Sequence, residues 1–271
     1  MFKTKKIIYI LAPLLGILWL GPFYLMLVNS LKTKKEIFAS SLSLPTGLNF
    51  KNYVLAAQNL DFIKTFINSL IITVISVLVI IIFSSMAAYA IARVRNKVST
   101  IVLFIFIGAM LIPFQAVMIP LVSFFGKLNM LNRVGIIYMY LGFGSSLSIF
   151  LYHGAINSVP RALDEAAIID GCNRFQVFWY IIFPMLKPMT VTVAILNTIW
   201  IWNDYLLPSL VINKNGSETI PLKMFFFFGE YTKQWHLALA GLTLAIIPVI
   251  IFYFLAQKQI IKGITAGAVK G

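Results

Sequence analysis

The sequence is short of charge, and shorter still of acid and cysteine. Only 11% of its 271 residues are charged, against about 25% in an ordinary soluble domain. Eight acidic residues face 22 basic ones, for a net charge of +14. The lone cysteine, Cys172, excludes an intrachain disulfide and a cysteine-based metal site. The two histidines, His153 and His236, are far apart and read as polar or boundary residues, not as ligands. No GxxxxGK[ST], HExxH or GxSxG sequence occurs, which excludes a phosphate-binding loop and the common hydrolytic sites. The glycine-rich end, Gly263 to Gly271, lacks both the spacing of such a loop and a strand before it. An intramembrane enzyme would need catalytic polar groups at depth, and these are missing. The chain therefore reads as a non-enzyme that binds no cofactor or metal itself.

What the sequence has in abundance is apolar surface: 60% of residues are hydrophobic and the mean hydropathy is +0.92. Lipid is the second solvent that such a composition needs. The expected class is an all-α integral membrane protein, because a helix satisfies its own backbone in hydrocarbon. Six runs are each long enough to span: Ile7–Val28, Ile67–Ala92, Ile101–Phe124, Gly135–Ile156, Pro188–Ile212 and Leu237–Gln257. Seven of the acidic residues fall between them, and only Asp204 lies inside one, near its end. An intramembrane acid is a candidate for function.

The basic residues sit in small clusters at the edges of the runs rather than in one stripe. That pattern suits membrane flanks and argues against nucleic-acid binding. With Lys3, Lys5 and Lys6 inside, the same side receives Arg93, Arg95, Lys97, Arg161, Arg174, Lys187, Lys258, Lys262 and Lys270, just over half of the 22. Both termini are then cytoplasmic, and the long segment 29–66 is external. The first run is too long for a typical signal peptide and no small-residue cleavage site follows it, so it is read as retained. Ser84, Ser85, Ala87 and Ala88 in the second run allow close helix packing.

The stretch from Asn157 to Pro188 is the most patterned. Asn157 or Ser158 can cap a helix, with Pro160 in its first turn and Asp164 and Glu165 near the positive end of the dipole. Gly171 ends it as a left-handed residue would. The expected helix has roughly 11 residues, about 16 Å, and small apolar side chains that fit a groove on another protein. Phe175, Phe178, Trp179 and Ile182 follow at i, i+3, i+4 and i+7, as an aromatic face for the membrane interface. Pro184 and Pro188 then break and redirect the chain. The residues alone leave two readings open: packing under the chain's own bundle, or docking to a partner.

Glu165-Ala166-Ala167, three residues, Gly171, nine residues, Ile181, one residue, Phe183 and Pro184 resemble the EAA motif of binding-protein-dependent ABC importers. The departure is Phe183, where that pattern has leucine. Asn197, Trp200, Trp202, Asn203 and Asp204, and the ending from Pro248 through Gln257 to Gly271, resemble the maltose- and oligosaccharide-type branch. The resemblance spans nearly the whole chain and is strongest from Ile67 onward. It implies a type I ABC importer permease bundle of six spans in a bacterial cell membrane. A second EAA-type permease subunit, two ATPase subunits that hold ATP and Mg, and an extracytoplasmic solute-binding protein would be its partners, and a sugar its cargo. The short helix would be the coupling helix, with Glu165, Ala166, Ala167, Asp170, Gly171 and Pro184 at the ATPase.

On this reading residues 1–66 form the first span and external loop. Residues 67–258 form the transmembrane domain, with the coupling loop at 157–188, and 259–271 form a cytoplasmic tail. Asn197, Trp200, Trp202, Asn203 and Asp204 are candidates for the solute path. The Trp residues would offer stacking surfaces, and an interfacial anchor is the competing explanation. The loop from Asn213 to His236 can meet the binding protein or pack locally. A secondary transporter or channel subunit is the alternative class, but it would show paired repeats with broken helices.

Overall fold

The computed structural model describes residues 2–94, 96–227 and 234–268; Arg95, Phe228, Glu230 and Lys270, named above or within segments named above, lie outside these. Among the described residues every regular element is helical. In order they are α1 (Phe2–Ser30), α2 (Lys34–Ala39), α3 (Lys51–Leu60), α4 (Phe62–Arg93), α5 (Lys97–Ala109), α6 (Phe114–Lys127), α7 (Arg133–Asn157) and α8 (Ala162–Ile169). There follow α9 (Arg174–Gln176), a π-helix (Val177–Ile182), α10 (Phe183–Met185), α11 (Lys187–Asn203), α12 (Leu206–Val211), α13 (Ile220–Met224), a 3-10 turn (Phe225–Phe227) and α14 (Trp235–Ala268).

Among the described residues four helices are long and apolar enough to cross a bilayer, within α1, α4, α7 and α14. These match four of the expected spans, with α14 continuing beyond the expected end at Gln257 to Ala268. The other two differ. The run Ile101–Phe124 is not one helix: α5 and α6 meet at 103°. Pro113 has no N–H and disfavours helical backbone at Ile112. The freed amides of Met110, Leu111 and Ile112 bond three residues back, to Ile107, Gly108 and Ala109. The run Pro188–Ile212 is also divided. The helix ends at Asn203, Asp204 is extended, and α12 follows. The segment Arg174–Met185 joins α11 at a bend of 77°.

The chain forms two compact units, residues 1–65 with 222–252, and residues 66–221 with 253–271. In the first unit Ala56, Leu60, Phe227, Leu237, Ala238 and Ala240 make a buried apolar cluster. Its loops are held by polar contacts. Lys32 is fully buried, and its ammonium donates to Asn29 Oδ1 at 3.1 Å and to the Ser40 carbonyl at 2.9 Å. Asn52 donates to the carbonyls of Ser30 and Lys32, both at 2.8 Å. Thr33 and Glu36 form a capping box at α2. The Glu36 carboxylate also accepts the hydroxyl and the backbone N–H of Thr46.

In the second unit α4, α7 and α11 approach closely through small residues. Ser76, Ser84, Ser85 and Ser148 are fully buried, as expected where backbones come together in lipid. Gly144 sits at a close approach of the three helices: a Cβ there would lie 2.6 Å from Ile80 Cδ1 and 2.7 Å from Asn197 Oδ1. Asn197 is held in turn, donating to Ser148 Oγ at 3.1 Å and to the Val193 carbonyl at 2.9 Å. At the other end of α4, Asn68 donates to the Gly216 and Glu218 carbonyls and accepts from Arg133 Nη2 at 2.7 Å.

Gly144→Ala is expected to overpack this contact, at about 1–3 kcal/mol, and to lower the thermal midpoint of the purified protein in detergent. The four hydrogen bonds to Glu36, led by the Thr46 hydroxyl, hold its carboxyl near pKa 2 instead of 4.5. A folded value below the unfolded one means that the contribution of Glu36 is complete above about pH 4.5 and fades as pH falls toward 2. The carboxyl carbon shift of labelled Glu36 should therefore titrate near pH 2 and not near 4.5.

Candidate functional site

The helix α8 is short, and its first turn carries Asp164 and Glu165. The expected cap does not form. Asn157 is the last residue of α7, and Arg161 occupies the N-cap position of α8 without a side-chain cap. Asp164 instead turns inward and is 8% exposed. Its Oδ1 accepts the Tyr89 hydroxyl at 2.7 Å and Arg93 Nε at 3.1 Å. Arg93 Nη2 lies 2.8 Å from Oδ2, an ion pair outside hydrogen-bond alignment. Arg93 also donates to the Val159 carbonyl at 3.3 Å, and Arg161 donates to the Ala92 carbonyl at 3.0 Å. The loop is thus bound to the last turn of α4 from both sides.

Ala167 joins Asp164 on the buried face, at 4% exposed. The opposite face is free of the chain's own packing. Glu165, Ala166 and Asp170 are exposed, and Ile169 is 85% exposed. Gly171 has φ of +88°. The Gly171 N–H bonds the Ile168 carbonyl, and the Cys172 N–H bonds Ala167 at 2.9 Å, which is a Schellman termination. Asn173 and Gln176 then form a second capping box.

The aromatic segment departs from its expected helical face. A π-turn over Val177–Ile182 shifts the register, so Phe178 and Ile182 are buried while Phe175 and Tyr180 are exposed. Pro184 gives the Tyr180 carbonyl no N–H, and the wider turn relieves that clash. Pro184 itself does not break the chain, for it sits exposed inside α10, and the bend falls at Leu186 before Pro188. Trp179 packs edge-on to Phe178 and Phe183 at 5.1 and 5.0 Å.

Of the candidates for the solute path, the structure brings two together. Asn197 and Trp200 line a cavity of about 270 Å³ with Met110, Phe143, Gly144 and Leu147. Met110 reaches it because the chain breaks before Pro113. Trp202 points elsewhere, edge-on to Phe66 at 5.8 Å. Asn203 is exposed and donates to its own helix at Ile199. Asp204 is no mid-helix charge. Its Oδ2 accepts the Tyr140 hydroxyl at 2.9 Å, and its Oδ1 accepts the N–H groups of Leu206 and Leu207 at the start of α12. Tyr140 in turn stands edge-on to Trp200 at 5.4 Å. Arg93, Tyr89, Tyr140 and Phe143 escaped the sequence reading. Arg93 had counted only as a membrane-flanking charge.

These features define a multi-pass helical membrane protein with a loop helix that has one face buried on its own bundle and one face exposed. Residues 80–266 match the family described as binding-protein-dependent transport system inner membrane component. The chain belongs to that family. It is 59% identical over 266 residues to the "Probable starch degradation products transport system permease protein AmyC" of Thermoanaerobacterium thermosulfurigenes, covering 98% of this chain and 97% of the relative. It is 40% identical over 267 residues to the "Multiple sugar-binding transport system permease protein MsmG" of Streptococcus mutans, covering 97% and 96%. Among solved structures it resembles a bacterial ABC transporter involved in the import of the acidic polysaccharide alginate. That likeness has a TM-score of 0.76 and 26% identity, over 94% of this chain and 97% of that one.

Arg93→Ala strands a buried carboxylate and should cost about 3–5 kcal/mol, whereas Asp164→Asn keeps the Tyr89 contact and should cost less. Thermal midpoints of both single variants and the double variant, as a cycle, measure the coupling.

Proposed function

We propose that this chain is one permease subunit of an ABC importer for a sugar or oligosaccharide. The observation that carries this reading is the two-faced α8, with Asp164 and Ala167 turned to the chain's own bundle and Glu165, Ala166 and Asp170 turned away. Such a helix passes displacement in both directions, because one face is fixed and the other is open to a partner. The partner is an ATPase subunit, two of which dock beneath a pair of permeases. ATP and Mg are held there. Ala167 serves the inward face, and Glu165, Ala166, Asp170 and Gly171 serve the docking face, with Pro184 exposed beyond it.

The two bent helix pairs, counted as one span each, support a bundle of six spans, and the basic ends of α4 and of the α8 loop support a cytoplasmic position for that side. A solute-binding protein delivers cargo from the opposite side. The relatives named for sugars and starch products support a carbohydrate cargo. So does the cavity beside Asn197, where Trp200 and Phe143 offer ring faces and the Asn197 amide offers a hydrogen-bonding group. ATP binding draws the docking helices together, α8 pulls on α4 through Arg93, and the cavity changes the side to which it opens.

The test is affinity purification of the tagged chain from bacterial membranes, with mass spectrometry of what accompanies it. A second permease and an ATPase should be recovered with the wild type and lost with Ala166→Trp. Recovery of the chain alone, with uptake persisting in ATP-depleted vesicles, would point to a secondary transporter. Gly171→Val, forced into a left-handed conformation, should keep ATP hydrolysis while transport falls. Trp200→Ala should raise the KM for sugar uptake about tenfold, equivalent to 1.4 kcal/mol, with ATPase coupling unchanged.

A further inference from the structure

An open groove of about 960 Å³ lies where the end of α4, the start of α5 and the end of α7 meet. Transport as described above makes no use of it. One rim is polar, formed by Asn96, Lys97, Ser99, Thr100, His153 and Asn157. Among the described residues no acidic residue lines it and no carboxylate pairs with Lys97. Asn96 caps α5, accepting the Ser99 N–H at 2.8 Å, so the positive end of the α5 dipole adds to the Lys97 charge at the same rim. The Asn157 amide lies 3.3 Å from His153 Nδ1, and together they supply polar groups on the far side. The rest of the wall is apolar, with Ile91, Ile101 and Leu103. The groove therefore has one net positive, hydrogen-bonding edge and one hydrocarbon face. It also lies at the joint between α4, which is long and apolar enough to cross a bilayer, and α5.

We propose that this groove binds an anionic phospholipid with a glycerol headgroup. The phosphate sits against Lys97, Ser99 and Thr100, the headgroup hydroxyls meet Asn157 and His153, and an acyl chain lies along Ile101 and Leu103. Charge complementarity favours this occupant: a zwitterionic headgroup would bring a second cation to a rim that has no anion to receive it. A basic pocket between helices at the membrane surface has this selectivity for anionic lipid. Asn157 is the last residue of α7 before the α8 loop, so the bound lipid braces the segment from which that loop departs. The proposal holds whichever solute is carried.

The test uses the transporter purified with its partner chains and equilibrated with phosphatidylglycerol in an excess of phosphatidylcholine, with native mass spectrometry counting the lipid that survives delipidation. Wild type should retain phosphatidylglycerol selectively. Lys97→Glu should retain about fivefold less, the loss expected for one basic contact at a membrane surface. Ser99→Leu fills the groove without changing charge and should lose retention too, while Lys127→Glu, outside the groove, should not. A melting profile shows that each variant is folded. Equal retention by folded wild type, Lys97→Glu and Ser99→Leu overturns the proposal. Displacement of the lipid by millimolar inorganic phosphate identifies a soluble-anion site and overturns it as well. So does a photoreactive group at position 100 that cross-links to the ATPase chain instead of to lipid.

Discussion

The contact on which the rest depends is the one between Arg93 and Asp164. A carboxylate this buried is costly unless a cation and hydrogen-bond donors meet it. Here Tyr89 and Arg93 both do so, from one turn of α4. That single carboxylate fixes which face of α8 is turned in. Because Ala167 is one turn below Asp164, it must also face inward, and Glu165, Ala166 and Asp170 must then face out. The same guanidinium reaches the Val159 carbonyl ahead of the helix, and Arg161 reaches back to Ala92. The loop has little freedom to move except together with the end of α4.

The membrane part obeys a second constraint, the absence of water to satisfy a broken backbone. Both breaks in the expected spans meet it locally. Before Pro113 the amides close short turns on residues three back. After Asn203 the Asp204 carboxylate takes the first amides of α12 and the Tyr140 hydroxyl. Irregular backbone is tolerated at depth where it borders a cavity, and the first break does so through Met110. The interruption that divides the third run therefore supplies one wall of the cavity through Met110, while α7 supplies Phe143 and α11 supplies Trp200 and the amide of Asn197.

Much of this was legible in the sequence. Apolar runs located four helices, three of them to within a few residues at both ends and α14 at its start, because composition and length decide a span and little else competes. Gly171 could be read as left-handed from its place after Ile169 and Asp170, and it is. The bend between α5 and α6 was missed because a hydropathy run is blind to Pro113, whose effect on the backbone is local, whereas the redirection of the chain just before Pro188 was expected from that proline. The aromatic face of Phe175, Phe178, Trp179 and Ile182 was misread because a π-turn has a period that a helical template does not anticipate. Asp164 was assigned to a dipole, a within-helix explanation. Its partner lies 71 residues earlier in the chain, and no spacing rule connects the two. Asp204 was singled out as the one acid inside a run, and what its spacing did not reveal is that its carboxylate accepts the Tyr140 hydroxyl and the first amides of α12.

The central claim is that α8 has one face fixed to its own bundle and one face offered to the ATPase. It is tested most directly by cysteine cross-linking in the assembled transporter, after the single natural cysteine, Cys172, is replaced by serine. Ala166→Cys and Ala167→Cys differ by one residue and by which face they occupy. The account predicts a cross-link to the ATPase chain from position 166 and none from position 167. Equal cross-linking from both positions, or cross-linking from 167 alone, would contradict it.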